Sequence, residues 1–413
     1  MRFWFSIIAL YFCICLLGCF NDSLDSDLTY LPLDDSEYPY VGLPRLVIET
    51  KNFQQILDKE TYIPAQLQVY GEKSPSSEIL PLSVRGRGYS SFQYMAKPGM
   101  KLKFDEKQPL LGMPKDKEWA LIANYADRTH LRNYISYKLA GWLGDDYTPR
   151  ARFVEVYLNR QYRGVFLLVE TAKASKNRVN IAKNDRSFLL EKDATKKEGD
   201  VVIKTKEGGF RFKICYPKNP SEESQKLIKK HLDDFESYLK RYVYFDKDSI
   251  SNWMDLEDYI RFYWVQEFAK NYDGAFRRSI FLTWEEGGVV RWGPVWDFDA
   301  GYGNWEVSDM PLVSQWYVRD SGWNRWMFRN EKLKLRAKDY WLEHRQVFES
   351  VLDSIDLYAE DIKHYVKNDF KRWPTLQMSG EFPFRESYDS YESAVDTLKS
   401  WIRRRIEWID DNL

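Results

Sequence analysis

Histidine and cysteine are scarce: the 413-residue chain carries four of each. The histidines (130, 231, 344 and 364) are scattered, and the cysteines (13, 15, 19 and 215) leave no pair in the body of the chain, which argues against a zinc centre. Neither sign of charge predominates. Sixty-one Lys and Arg face 62 Asp and Glu, for a net charge of -1. Nucleic acid is thereby excluded as a main partner, because neutralising a phosphate backbone needs a cationic excess. There is no Gly-x-Ser-x-Gly elbow, no phosphate loop of the G-x-x-x-x-G-K-[ST] type, and no heptad or repeat of about 20–50 residues. Long hydrophobic runs are missing as well. The longest, Phe3 to Leu17, has 15 residues, short of the roughly 20 that a membrane-spanning helix needs.

Aromatic residues are abundant: 16 Trp, 28 Tyr and 24 Phe, within a hydrophobic content of 44%. Such a chain folds around a large core and is not disordered. At about 150 residues per domain it makes two or three domains, or one two-lobed unit.

Met1-Arg2, the apolar run and Leu16-Leu17-Gly18-Cys19 resemble the signal and lipobox of a bacterial lipoprotein, in which the cysteine becomes the lipidated first residue. Residues 1–18 then read as a signal peptide and 19–44 as lipidated Cys19 and a polar, acidic tether. The chain is expected to be anchored by lipid and not to span the membrane, in the cell envelope, on the outer membrane and exposed at the surface. Cleavage and lipidation leave Cys215 alone, so the mature domain holds no internal disulfide.

Periodicity divides the body into a β-rich stretch, 45–216, and a helix-rich stretch, 217–413. Strands are expected at Leu46–Glu49, Ala65–Tyr70, Leu82–Arg87, Met100–Phe104 and Trp119–Ala123, then as a hairpin at Phe153–Leu158 and Gly164–Glu170. His130–Trp142 reads as a helix started by Asp127 or Thr129 and stopped at Gly144. Phe188–Glu191, Val201–Lys206 and Phe210–Cys215 extend the β region. Helices are expected at Ser221–Tyr242, at Leu256–Lys270 with Asp255 as its cap, and over most of 326–412; a hairpin, Ser279–Trp284 with Val289–Trp292, interrupts them. The fold class is α+β, in two lobes with a cleft between them.

Three polar groups stand out. In Gly293-Pro294-Val295-Trp296-Asp297-Phe298-Asp299, two aspartates at i and i+2 on an extended segment share a face, which suits a hard cation. The plainer alternative is a turn whose aspartates cap backbone amides. Upstream, Glu267 and Asn271 share a helix face and Asp273 follows in the next turn; ordinary helix termination by Asn and Gly is the alternative there. In the β-rich stretch, Arg85-Gly86-Arg87-Gly88 is a basic turn suited to phosphate, and Lys101 and Lys103 share one face of a strand. Alternating lysines otherwise mark a solvated face.

These segments together resemble the CotH family of spore-coat and secreted atypical protein kinases. The matching runs are Arg85-Gly86-Arg87-Gly88-x-Ser90, Lys101-Leu102-Lys103-Phe104-Asp105, Leu110-Leu111-Gly112-Met113-Pro114 and Asn124-Tyr125-x-Asp127-x-Thr129-x-Leu131-Arg132-Asn133. Further matches are Val154–Asn159, Tyr162–Glu170, Asn177–Ile181, Glu267-x-x-x-Asn271-x-Asp273 and Gly293–Asp299. The resemblance implies a two-lobed, kinase-like fold that uses ATP and a divalent cation, Mg²⁺ or Mn²⁺, to phosphorylate Ser or Thr of exported proteins. It further implies Asp297 as metal ligand with Asn271 or Asp299 completing the shell, and Asp273 as the residue that orients or deprotonates the hydroxyl. Lys103, then Lys101, is implied at the phosphates with Arg85 assisting, and Glu170 as a hinge or ion-pair partner. Tyr89 departs from the Asn common in relatives. A rival reading is a catalytically silent or carbohydrate-binding surface protein, for which Trp305, Trp316, Tyr317, Trp323 and Trp326 would form the binding surface.

Overall fold

Alternation of apolar side chains sets the N-terminal strands. In the computed structural model, which describes residues 33–72, 76–192, 199–245, 249–305 and 311–413, these are β1 (Arg45–Thr50), β2 (Ile63–Tyr70) and β3 (Leu80–Arg87), a short helix α1 (Ser90–Tyr94), β4 (Gly99–Leu110) and β5 (Met113–Ile122). After α2 (Arg132–Trp142) come β6 (Ala151–Leu158) and β7 (Gln161–Glu170). The seven strands close into a barrel in the order β1-β2-β3-β4-β5-β7-β6. Inward residues such as Leu46, Leu67, Val84, Leu102, Phe104, Trp119 and Leu168 fill it. Their outward neighbours, Arg85, Lys101 and Lys103 among them, therefore face away from that core. Closure depends on β1 lying parallel to β6, Arg45 opposite Glu155, a pairing that local alternation does not announce.

The second sheet combines both stretches. β8 (Ser187–Lys192), β9 (Val202–Lys204) and β10 (Arg211–Tyr216) are followed by helices α3 (Glu222–Arg241) and α4 (Leu256–Phe268), then β11 (Ile280–Glu285) and β12 (Arg291–Trp292), in the sheet order β12-β11-β8-β10-β9. Because β11 pairs with β8 along its whole length, the sheet crosses the expected 216/217 boundary, and Leu33–Leu413 is one compact unit. The remainder is helical: α5 (Asn324–Met327), α6 (Glu331–Glu349), α7 (Val351–Arg372) and α8 (Tyr391–Asn412). The protein is thus α+β, β-rich in its N-terminal half and helical in its C-terminal half. Among the described residues no helix is long and apolar enough to cross a membrane. The signal segment, Cys19 and the first part of the tether lie outside the described residues.

Helix starts follow capping chemistry. Asp255 accepts from the amide of Asp258 (3.1 Å) to start α4, and Ser221 does the same for Ser224 in α3. α2 begins two residues later than expected, because His130 is left-handed (φ 59°). Asp127 still serves it, taking the Arg132 amide at 2.8 Å.

Helix α7 is docked on the barrel through one buried carboxylate. Asp369 Oδ1 accepts from Lys97 Nζ (2.6 Å) and from the backbone amide of Val165 on β7 (2.7 Å), while His130 Nε2 lies 3.4 Å from Oδ2. The neighbouring position must be glycine: a Cβ on Gly164 would come within 2.1 Å of Asp369 Oδ1, at a φ of +100°. Since Lys97 is fully buried, Asp369→Ala is expected to strand its ammonium and cost about 3–5 kcal/mol. Urea unfolding at neutral pH checks this; a loss below about 1 kcal/mol would mean that the pair is not what holds α7.

Candidate functional site

A cleft of about 690 Å³ opens outside the barrel. One wall is the outer face of β3, β4 and β5. Arg85 and Lys101 sit opposite each other in the strand register, and Arg87 lies two pairs further along, opposite Gly99. All three line the cleft. Arg87 rests its guanidinium over the ring of Trp296 (4.9 Å), so it is held toward the opposite wall.

That opposite wall is acidic. Asp273, Asp297 and Asp299 line it together. Asp273 follows α4 and pairs with Arg278 at 3.3 Å. The segment after β12 is not the regular extended run expected, because Asp297 has φ 66°. A non-glycine residue in this region is strained and must be held by its surroundings. Two asparagines hold it. Asn271 Nδ2 donates to the Asp297 carbonyl (3.0 Å), and Asn133 Oδ1, from α2, accepts from the Phe298 amide (2.8 Å). Ser279 Oγ donates to Asp297 Oδ2 (3.0 Å). The left-handed turn lets both aspartates reach the cleft without strand alternation.

Enclosure at the cleft floor, and then the neighbouring Asp297 and Asp273 carboxylates, push the Asp299 pKa well above the usual carboxylate range. Asn271 is fully buried with Nδ2 engaged and Oδ1 without a hydrogen-bond partner. The crowded carboxylates are donors suited to a hard divalent cation; Asn271 is not in the cleft lining and acts on the site through the Asp297 carbonyl. Among the described residues, however, no three His, Cys, Asp or Glu side chains form a complete metal-holding group. A cation here would take part of its shell from a ligand or water, the usual manner of Mg²⁺.

The structure separates the two candidate lysines. Lys101 Nζ lies 2.5 Å from Glu118 Oε2, and both residues line the cleft. Lys103 is exposed two residues along β4, over the Tyr62 ring (5.4 Å), and is not part of the lining. The packing of Phe104 does not favour Lys103, since Leu102 and Phe104 both point into the barrel and serve both lysines alike. Glu118, not anticipated from sequence, holds Lys101 in place. Burial would raise its pKa, but Lys101 and then Lys173, 3.3 Å from Oε1, outweigh that and bring it down to about 2. The only sequence signal was the charged run Lys115-Asp116-Lys117-Glu118, which reads as a solvated strand.

Glu170 is not in the cleft lining. It is buried in a bidentate pair with Arg150 (2.9 Å to Nε and to Nη2), with Arg178 4.0 Å away. Arg178 lies 3.9 Å from Asp116, which Lys173 also reaches, so Glu170 ends a charge network that begins at Lys101. Glu267 likewise proves structural, paired with Arg405 Nη2 at 2.7 Å and fully buried. The aromatic cluster divides. Trp323 and Trp326 are core, and Trp316 packs on Trp264 and Trp408, because Phe210, Phe212 and Phe276 draw the first two inward. Only Trp305 and Tyr317 remain beside the cleft, flanking Tyr272.

Because the folded-state pKa of Asp299 lies above its unfolded value, its ionisation costs stability; the cost is absent in acid and grows as pH rises above about 4. Asp299→Asn is therefore expected to gain about 1–2 kcal/mol at neutral pH without metal and to lose that gain in acid, and Mg²⁺ is expected to raise the Tm of the native protein but not that of the variant. Calorimetry across pH with and without Mg²⁺ checks both. A variant with no neutral-pH gain, or one that Mg²⁺ still stabilises fully, removes Asp299 from the site.

The family model described as CotH kinase protein matches residues 83–409, most of the chain. No curated protein matches the sequence significantly.

Proposed function

From membership of the CotH kinase family, to which the chain belongs, we propose an ATP-dependent protein kinase that phosphorylates Ser or Thr of exported proteins with Mg²⁺ or Mn²⁺. The observation that carries the reading is the opposed charge of the cleft walls, Arg85, Arg87 and Lys101 against Asp273, Asp297 and Asp299. A triphosphate is drawn to the first wall and repelled by the second unless a divalent cation lies between them. Nucleotide and cation thus account for both walls at once.

In this reading Lys101 contacts the phosphates and Glu118 keeps its ammonium aimed, with Arg85 and Arg87 alongside. Asp297 and Asp299 would hold the cation, which would neutralise charge on the transferring phosphoryl group, while Asn271, expected from sequence as a ligand, fixes the turn by donating to the Asp297 carbonyl. Asp273 receives the proton of the acceptor hydroxyl as its oxygen bonds to the γ-phosphorus. The bond from that phosphorus to the β–γ bridging oxygen breaks, and ADP leaves. Glu170 and Lys103 act at most through Lys101 and its neighbours.

Labelled ATP with Mg²⁺ or Mn²⁺ and a panel of envelope proteins tests transfer, and calorimetric titration tests binding. Lys101→Met is expected to weaken ATP by one to two decades, the equivalent of about 1.5–3 kcal/mol for a charge-assisted contact, while Lys103→Met binds normally. Asp273→Asn should bind ATP and fail to transfer. Normal affinity in Lys101→Met together with normal transfer by Asp273→Asn would overturn the assignment, and polysaccharide binding without nucleotide would favour the silent surface protein.

The same reading gives a location. Lipid on Cys19 would hold the folded unit, which begins at Leu33, at the outer membrane. Cys19→Ser is expected to move the protein from the membrane to the soluble fraction; unchanged membrane association with an unprocessed mass would sink this.

A further inference from the structure

A second cavity, of about 370 Å³, lies behind α1 at one end of the barrel. Ser90 and Ser91 of α1 line the cleft, whereas Phe92 of the same helix lines this cavity, and Gly99 borders both. Its walls are mainly apolar, with Phe53, Ile56, Phe92, Leu158 and Phe166 around it, and Arg163 supplies the one charged side chain of the lining. Phe53 is 50% exposed although its backbone and that of Asn52 are both left-handed (φ 52° and 56°). Strain of this kind persists where the surroundings impose it, and here it keeps an aromatic ring at the rim.

The cation has no counter-charge. Among the described residues no carboxylate pairs with Arg163. Its guanidinium lies 5.7 Å from the Trp373 ring, and Arg372 covers the same ring at 4.3 Å. The nearby acid, Asp369, is already engaged by Lys97. Burial, and then the like charge of Arg372, lower the pKa of Arg163, the direction expected of a cation left without an anion.

We infer that this cavity binds a small amphipathic anion, an aliphatic or aromatic carboxylate of roughly ten to fifteen heavy atoms, its apolar body among the Phe side chains and its carboxylate on Arg163. A carboxylate matches the guanidinium fork with two parallel hydrogen bonds. The cavity also touches the basic turn. A Cβ on Gly86 would fall 2.0 Å from Phe92 Cε2, so the backbone between Arg85 and Arg87 rests directly on the ring that the ligand would contact. A ligand pressing on Phe92 shifts the cations of the cleft wall, and its binding is linked to that of ATP by one reciprocal factor. That linkage rests on the kinase reading; the binding itself does not.

Calorimetric titration of decanoate, below its micelle concentration, into the full-length protein without nucleotide tests the site, with decan-1-ol as the uncharged comparison. Decanoate is expected to bind one to one and at least tenfold tighter than decanol. Arg163→Gln should bring the two ligands level, and Ile56→Trp, which fills the cavity from a half-buried loop position, should abolish both; Leu158→Phe serves if that variant does not fold. No decanoate binding by the native protein overturns the inference. So does a preference for decanoate that survives Arg163→Gln, or binding that survives both cavity-filling changes. Repeating the titration with ATP present reads the linkage. If ATP fails to bind at all, the kinase reading falls and the carboxylate site stands.

Discussion

Asp369 is the joint on which the remainder of the molecule depends. One carboxylate on α7 satisfies the Lys97 ammonium and an amide of a barrel strand at the same time. Around it Trp373 donates to the Arg163 carbonyl (2.9 Å) and Phe370 packs edge-on to His130. Buried charge is costly unless every partner is in place, so the geometry tolerates little slippage between α7 and β7. The strands that carry Arg85 and Lys101 belong to this barrel. The helical half carries Asp273, with a second buried pair, Arg405 and Glu267, tying α8 to α4 immediately before it. The distance across the cleft is therefore set by contacts remote from it.

Charge in the cleft follows from the same architecture. A barrel packed with Leu, Val, Phe and Trp sends every second residue outward, and on β3 and β4 those residues include Arg85, Arg87, Lys101 and Lys103. The acidic wall arises from a different device, a left-handed aspartate pinned by one asparagine on α2 and another just past the end of α4. Rigid elements thus present the cations and a strained turn presents the carboxylates. A site that keeps several carboxylates close together sacrifices stability for binding, as functional sites commonly do.

Local rules made much of this legible. Strand alternation, the Asp255 cap, the β6–β7 hairpin and the β11–β12 hairpin stood in the sequence because each depends on neighbours a few residues away. The candidate aspartates stood there too, by spacing and by family resemblance. What could not be read was non-local. Barrel closure joins Arg45 to Glu155, and β11 returns to β8 across two helices. The choice between Lys101 and Lys103 was undecidable from the strand alone, since both share a face; Glu118, on the next strand, separates them. Glu170, expected as a hinge or ion-pair partner, is paired with Arg150, and Glu267 with Arg405. Both carboxylates are buried counter-ions of arginines, a role that sequence spacing cannot distinguish from that of a site residue.

Barrel closure bears on where the chain can be cut. The segment shared with relatives starts at residue 83, inside β3, and stops at 409, inside α8. A fragment trimmed to those limits lacks β1 and β2, so β3 and β6 lose the partners that complete the ring. Each would then carry a row of unpaired amides and carbonyls along an apolar strand, the template on which chains add to one another and aggregate. The part of this protein that the family model matches is thus not a part that can stand by itself; the first strand, from Arg45, is as much a requirement for solubility as for shape.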